Sequence, residues 1–318
     1  MSLYDASPLL TIGMPVYNGA NFIDNAIESI LCQSFTDFEL IICDNASSDG
    51  TPAICRKFTE RDNRVQYLSN QENIGAAANF NRVFHAGKGK YFKWAAHDDE
   101  LGPEYLKKCV ELLEKNNDTV LCHSQVNVIN ETGKVIRHDS INPYPLASDS
   151  APERFNALIR TDLDIYEVFG VIRRNVLEKT PLIGSYIASD RPLRAELGLH
   201  GKFAFLAEPL FLCRDHPQRS ICAMPAHHMR GQWFDPKLKG RFVFPHWRIL
   251  AEYFKCIGRI KELTVQEKFS CQTAVLKWLG IHQNWARLLA DPVLVFFPGM
   301  ESVLIRFGKH MAHRGNGD

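Results

Sequence analysis

Nowhere in the chain do about 18 apolar residues follow one another, the length that a membrane-crossing helix requires. The longest late apolar run, PVLVFFP at 292–298, is far shorter. No Cys-x-x-Cys pair occurs among the nine cysteines, which are scattered from Cys32 to Cys271. That excludes the common zinc and redox motifs and predicts thiols kept reduced and mostly buried, as in a cytoplasmic protein. The opening MSLYDASPLL has neither the basic nor the apolar segment of a secretory signal, so none is expected. Charge of one sign is not in excess either. With 37 Lys+Arg against 36 Asp+Glu the net charge is +1, and no global field points to nucleic acid as a partner. What remains, at 45% hydrophobic and 23% charged residues, is the composition of an ordinary globular protein without repeats.

Two phosphate-cradling motifs are also missing. The loop GMPVYNGANF has neither G-x-G-x-x-G nor G-x-x-x-x-G-K-[ST], which argues against an NAD-dependent dehydrogenase and a P-loop NTPase. It has no basic residue, which argues against a sugar-1-phosphate nucleotidyltransferase.

Short apolar runs alternate with amphipathic segments from residue 9 onward, the pattern of βα units around a parallel sheet. Strands are predicted over 9–14, 38–43, 65–69 and 91–96. The helix after the first strand places Phe22, Ile23, Ala26, Ile27, Ile30 and Leu31 on one face. Thr51 is expected to cap a helix beginning at Pro52, and further helices are expected through 76–84 and from Pro103. The segments 119–129 and 134–138 read as a hairpin around N-E-T-G. Then come a loose Pro- and Ser-rich stretch at 141–152, a helix near 152–160, a strand around DIYEVFGVI, a helix near 189–199 and a strand in LAEPLFLCRDH. From about residue 221 the pattern is mostly helical, apart from His227 and His228, read as a surface loop.

In an open α/β sheet, ligands bind outside the carboxyl ends of the strands. Four polar loops fall there: GMPVYN, CDNASSDG, SNQENIG and AAHDDE. Pro15, Val16, Tyr17 and Asn18 can present backbone groups and one ring to a planar ligand. Asp44 serves either the turn itself or the N–H groups of a base or sugar. Asn73 and Gly75 lie near a helix N-terminus, where anions are favoured. Asp98 and Asp99 offer oxygens to a hard divalent cation, and Mg²⁺ or Mn²⁺ characteristically takes its other ligands from substrate phosphates.

Together, PVYNGANFIDNAIESIL, CDNASSDGT, NIGAAANFNRV and the Asp-Asp after the fourth strand resemble glycosyltransferase family 2 over roughly residues 8–220. The resemblance implies the GT-A fold, Rossmann-like with a mostly parallel sheet between helices. It further implies a nucleotide-diphosphate-sugar donor, a UDP-sugar by expectation, a divalent cation (Mn²⁺ or Mg²⁺), and inverting transfer to a glycan or lipid-linked acceptor in polysaccharide or glycoconjugate synthesis. Carried onto these residues, it puts Pro15 to Tyr17 and Asp44 on base and ribose, with Asn73 and Gly75 nearby. Asp98 takes the metal position, helped by Asp99 and His216, Arg214 or Arg219 the phosphate, and Asp190 the catalytic base. The usual Asp-x-Asp has Ala96 at its first position here, and Ser189 stands beside Asp190 where a Glu is common.

The expected organisation is a catalytic domain over 1–220, with a donor half at 8–100 and an acceptor half at 101–220, followed by a helical region over 221–318. Trp285, Phe296 and Phe297 in that tail suit packing onto the core or a second subunit, or contact with a membrane surface. A rival from another class is a nucleotide-sugar-binding protein that lost turnover with the first metal-motif carboxylate.

Overall fold

In the computed structural model, which describes residues 7–142, 144–161, 166–219, 227–239 and 244–296, the alternation of runs becomes an alternation of strands and helices. Strands β1 (Leu10–Val16), β2 (Phe38–Asp44), β3 (Val65–Ser69) and β4 (Tyr91–Trp94) pair in parallel in the order β3–β2–β1–β4. Helices α1 (Ile23–Leu31), α2 (Thr51–Arg61) and α3 (Ala76–Ala86) connect them. β1 is buried along its whole length, as expected of a strand covered on both faces. In α1 the buried residues are Ile23, Ala26, Ile27 and Ile30, one face at helical spacing. A Cβ on Gly13 would come within 2.6 Å of Val83 Cγ2, so the glycine lets α3 lie directly on β1.

The chain continues through β5 (Glu100–Leu101), α4 (Tyr105–Lys115), β6 (Thr119–Ile129), β7 (Val135–Asp139) and α5 (Ala151–Arg160). After one 3₁₀ turn over Glu167–Phe169 come β8 (Val171–Arg173), α6 (Arg174–Leu177), α7 (Asp190–His200) and β9 (Lys202–Arg214). These strands extend the same sheet, as β4–β8–β6–β9–β5 with β7 on β6. Here only β6 and β9 pair in parallel. Parallel pairing therefore belongs to the first four strands and mixed pairing to the rest. The C-terminal helices are α8 (His227–Phe234), α9 (Pro245–Arg259), α10 (Val265–Trp278) and α11 (Asn284–Phe296). Arg259 of α9 binds Glu196 of α7 through two hydrogen bonds of 2.8 and 2.6 Å, and Asp291 of α11 accepts from the first backbone N–H groups of α9, His246 N at 2.8 Å.

Three expectations need correction. Thr51 does not cap α2 but is its first residue, and its Oγ1 accepts from Gly19 N at 2.9 Å, tying the loop after β1 to the start of α2. Within DIYEVFGVI only Val171–Arg173 is strand, preceded by the 3₁₀ turn, while 162–165 lie outside the described residues. His227 opens helix α8 and is not in a loop.

Side chains alternate across the sheet and feed two cores. Ile12, Met14, Ile42 and Tyr91 join one, and Ile41, Cys43, Phe92 and Trp94 the other. That period buries a cation, because Lys93 follows Phe92 and sits 1% exposed over the rings of Tyr105 and Phe211. Its ammonium donates to Phe169 O, and desolvation brings its pKa down to about 7.

His123 lies in the same aromatic box, fully buried, 4.9 Å from the Phe211 ring. Its Nδ1 is 2.6 Å from Ser124 O, so the proton sits on Nδ1 and Nε2 faces the core without a partner. Desolvation, then repulsion from Lys93, pushes its pKa down to about 3. An unfolded histidine protonates near pH 6.5, so this contribution to stability is complete above that value and is lost as pH falls toward 3. We predict that His123→Leu flattens the decline of unfolding free energy over that window by up to about 4 kcal/mol. Urea titrations at several pH values check this, and parallel curves for the two proteins would refute it.

Candidate active site

The loops after β1 and β2 are laced together. Asn18, in a left-handed conformation at φ 51°, donates its N–H to Ser47 Oγ at 2.8 Å and accepts from Ser48 N at 2.9 Å. Ala20 N donates to Asp49 Oδ2 at 3.0 Å, and Asn45 N to Val16 O at 2.8 Å. This leaves the Tyr17 ring 42% exposed above the strand ends. Asp44 lies beneath that surface, 1% exposed, accepting from Tyr67 OH at 2.6 Å and Ser47 N at 2.9 Å. Tyr67 is a partner the sequence did not reveal. Desolvation and the hydrogen bond to Asp44 raise its pKa to about 12.

Four asparagines close the ends of β2 and β3 over α3. Asn45 donates to Asn73 Oδ1 at 2.9 Å, and its own Oδ1 accepts from Asn70 Nδ2 at 2.8 Å and Ile74 N at 3.0 Å. Asn70 donates also to Asn79 Oδ1 at 3.1 Å, and Asn79 to Cys43 O at 2.7 Å. Asn73 thus shapes the loop. Gly75, at φ 88°, turns its open side to the C-terminal region, because a Cβ there would come within 2.6 Å of Phe234 O and Pro236 Cδ. The WFDP segment, not a ligand, fills that space.

After β4 the chain leaves the sheet through Ala95 and Ala96. His97 leans on Gly19, whose absent side chain leaves room for the ring, since a Cβ would lie 2.5 Å from His97 Cδ2. Asp98 and His216 meet at 3.0 Å, Oδ2 to Nε2, with their side chains 17% and 3% exposed. A carboxylate only accepts, so Nε2 carries the proton; Nδ1 is buried without a partner. Desolvation works to raise the pKa of Asp98. The hydrogen bond from His216 and the charges of His97 and His216 outweigh it, leaving the carboxyl below the ordinary aspartate value. Asp99 goes the other way. Desolvation and the neighbouring Asp98 raise its pKa to about 7, although its Oδ1 accepts from Arg214 N at 2.9 Å.

The structure redistributes the expected roles here. Arg214 is fully buried, and four of the five N–H groups of its guanidinium are taken up, by Asp98 O at 2.9 Å, Asn130 O at 2.9 Å, Glu131 O at 3.1 Å and the Glu100 carboxylate, so the side chain is turned to the protein. His216 uses Nε2–H on Asp98, and Asp99 is bound to backbone. Arg219, whose Nη1 lies 3.4 Å from Asp215 Oδ1, is at the rim of the same loop. Asn21 Nδ2 donates to Gln218 Oε1 at 2.8 Å, drawing that loop against the start of α1.

Among the described residues no three His, Cys, Asp or Glu side chains come together as a cage for a metal ion. What is present is one ionised carboxylate, Asp98, with Oδ2 held by His216. That donor set fits a hard cation shared with a diphosphate, which needs only one or two protein carboxylates.

Asp190 belongs to a second cluster. It is the first residue of α7 and its Oδ1 accepts from Arg191 N at 3.0 Å. Desolvation raises its pKa against the opposing charges of Arg194 and Arg191. Beyond it Pro192, Leu193 and Glu196 line a cavity of about 350 Å³ shared with Tyr186 and with Arg248 and Glu252 of α9.

The family model for glycosyl transferase family 2 matches residues 11–180, more than half of the chain. An uncharacterized glycosyltransferase of Rickettsia bellii is 33% identical over 134 residues, 41% of this chain and 19% of that relative, so the chain spans about a fifth of its length. Among solved structures, S. aureus TarS 1–349 in complex with UDP-GlcNAc superposes with a TM-score of 0.60 at 15% identity, over 86% of this chain and 72% of that one. The mannosyltransferase PcManGT from Pyrobaculum calidifontis, in complex with GDP-Man and Mn²⁺, superposes at 0.53 and 16%, over 92% and 88%. The architecture is that of the GT-A glycosyltransferases, and the chain belongs to glycosyltransferase family 2.

Proposed function

We propose that this glycosyltransferase moves a sugar from a nucleoside-diphosphate sugar, a UDP-sugar in the first instance, to a hydroxyl of a glycan or lipid-linked acceptor with inversion, in polysaccharide or glycoconjugate synthesis. The observation that carries the reading is the Asp98–His216 pair, an ionised carboxylate fixed where the loops after β1, β4 and β9 meet. Two structural neighbours that hold UDP-GlcNAc and GDP-Man support a donor of this class.

In this mechanism Tyr17 and the Pro15–Asn18 backbone stack against and bind the base, with Asp44 beneath them. Asp98 would hold Mg²⁺ or Mn²⁺ beside the donor diphosphate, and Arg219 would reach toward the phosphates from the rim of the same loop. The cation supplies compensation for the charge that develops on the leaving diphosphate. Asp190, deprotonated, takes the proton from the acceptor hydroxyl as its oxygen attacks the anomeric carbon from the face opposite the diphosphate. Fixing both substrates on one scaffold supplies much of the rest of the rate.

The test is a panel of nucleotide sugars with Mn²⁺ or Mg²⁺ and candidate acceptors, reading nucleoside diphosphate release. Release from one donor is expected. Tight donor binding with no release from any member, in the presence of acceptors, would instead establish the non-catalytic binding protein.

The reading places the enzyme in the cytoplasm, in contact with a membrane surface or a second copy through its C-terminal helices. Among the described residues no helix is long and apolar enough to cross a membrane. Trp285, Leu289 and Val293 form one exposed stripe on α11, 51%, 63% and 39% exposed, and Trp247 of α9 donates to Leu288 O beside it. The Phe296 side chain and Phe297 lie outside what is described. Cosedimentation with anionic vesicles separates the two arrangements.

A further inference from the structure

We propose that Arg214 is a positioning residue that presets Asp98 for the charged end of the donor without touching the donor itself; the inference rests on the donor reading above. Arg214 ends β9, and its side chain is 0% exposed. Nε donates to the carbonyl of Asp98, Nη2 to the carboxylate of Glu100, and Nη1 to the carbonyls of Asn130 and Glu131 at the end of β6. Its backbone N–H holds Asp99. One residue, through its side chain and its backbone N–H, thus grips the turn of three consecutive acids and fastens it to the neighbouring strand end.

The grip extends to the partner of Asp98. The guanidinium carbon lies 4.9 Å from the centre of the Phe22 ring, and the same ring lies 4.5 Å from that of His216. Arg214 and His216 both pack on Phe22 at the start of α1, the two rings tilted at 55°, and His216 in turn holds Asp98 Oδ2. Asp98 is fixed at its main chain by Arg214 and at its side chain by a ring packed on the same phenylalanine. A carboxylate that shares a cation with a diphosphate must be held within about 0.5 Å of its working position. With Ala96 in place of a second metal-motif acid, the position of Asp98 matters more than in a two-carboxylate site.

The experiment measures, by calorimetry, affinities of the full chain for UDP and GDP and for uridine and guanosine, with and without Mn²⁺. The better-binding nucleotide is then followed in Arg214→Met and Glu100→Gln. In Arg214→Met the nucleoside and metal-free diphosphate affinities are expected to stay at wild-type values, while the gain in diphosphate affinity on adding Mn²⁺ falls about tenfold or more. Glu100→Gln, which keeps an oxygen for Nη2–H but removes the charge that faces the guanidinium, is expected to move the gain severalfold in the same direction, and it carries the test if Arg214→Met does not fold. Weaker metal-free binding of the diphosphate but not of the nucleoside would make Arg214 a direct phosphate contact and overturn the proposal. So would a uniform loss of every affinity with a lower Tm, an unchanged gain in both variants, or a wild-type chain that binds the nucleotide with no gain from Mn²⁺. A wild-type chain that binds neither nucleotide would fell the donor reading itself.

Discussion

Asp190→Asn is expected to lower kcat of sugar transfer by about 10²–10⁴-fold while leaving donor affinity unchanged. The amide keeps the size and the hydrogen bond to Arg191 N but cannot take a proton. An acid at a helix N-terminus is ordinarily held ionised by the helix dipole. Here desolvation outweighs both that and the charges of Arg194 and Arg191, and the pKa is raised. A base works deprotonated, so raising its pKa moves the acid limb of the kcat profile upward, above the range of an ordinary aspartate. The limb should disappear in the variant. Steady-state transfer assays across pH check both points, and near wild-type turnover in Asp190→Asn would remove this residue from the chemistry.

Asp98→Asn should reduce kcat/KM by about 10³-fold, the several kcal/mol that a cation contributes at a developing phosphate charge. The substitution keeps an oxygen for His216 Nε2–H, so the pair persists and only the charge is lost. His216→Gln, which leaves the charge and loosens its placement, is expected to cost about 10–100-fold. Donor hydrolysis followed over a Mn²⁺ titration distinguishes them. Asp98→Asn should need far more Mn²⁺ or fail to respond, and an unchanged titration would show that the cation is held elsewhere.

The sequence made the βα order of the first four strands legible because each strand is a short apolar run and each helix has one apolar face, as Ile23 to Ile30 show. It also located the four loops, since Gly, Asn and Asp collect where strands end. It did not show which of their side chains face a ligand. Arg214 in CRDHPQRS reads as a candidate phosphate contact, and only the turn at 98–100, more than 110 residues earlier, makes it a buried clamp. Gly75 looks like a ligand approach until the 234–236 segment arrives against it. Lys93 lies within a run that reads as buried, yet nothing local predicts an aromatic box assembled from α4 and β9.

The three residues of β8 join β4, whose end leads to Asp98, to β6, which pairs with β9 and so with the segment carrying His216. The sheet therefore runs unbroken from β3 to β5 under both sides of the site. Two lobes rocking about a hinge would have to tear this backbone ladder, at about 1 kcal/mol for each hydrogen bond lost. In the proposed reaction the substrates would therefore meet over a rigid floor, and the spacing between the β4 and β9 sides of the site is set when the chain folds, not when it closes.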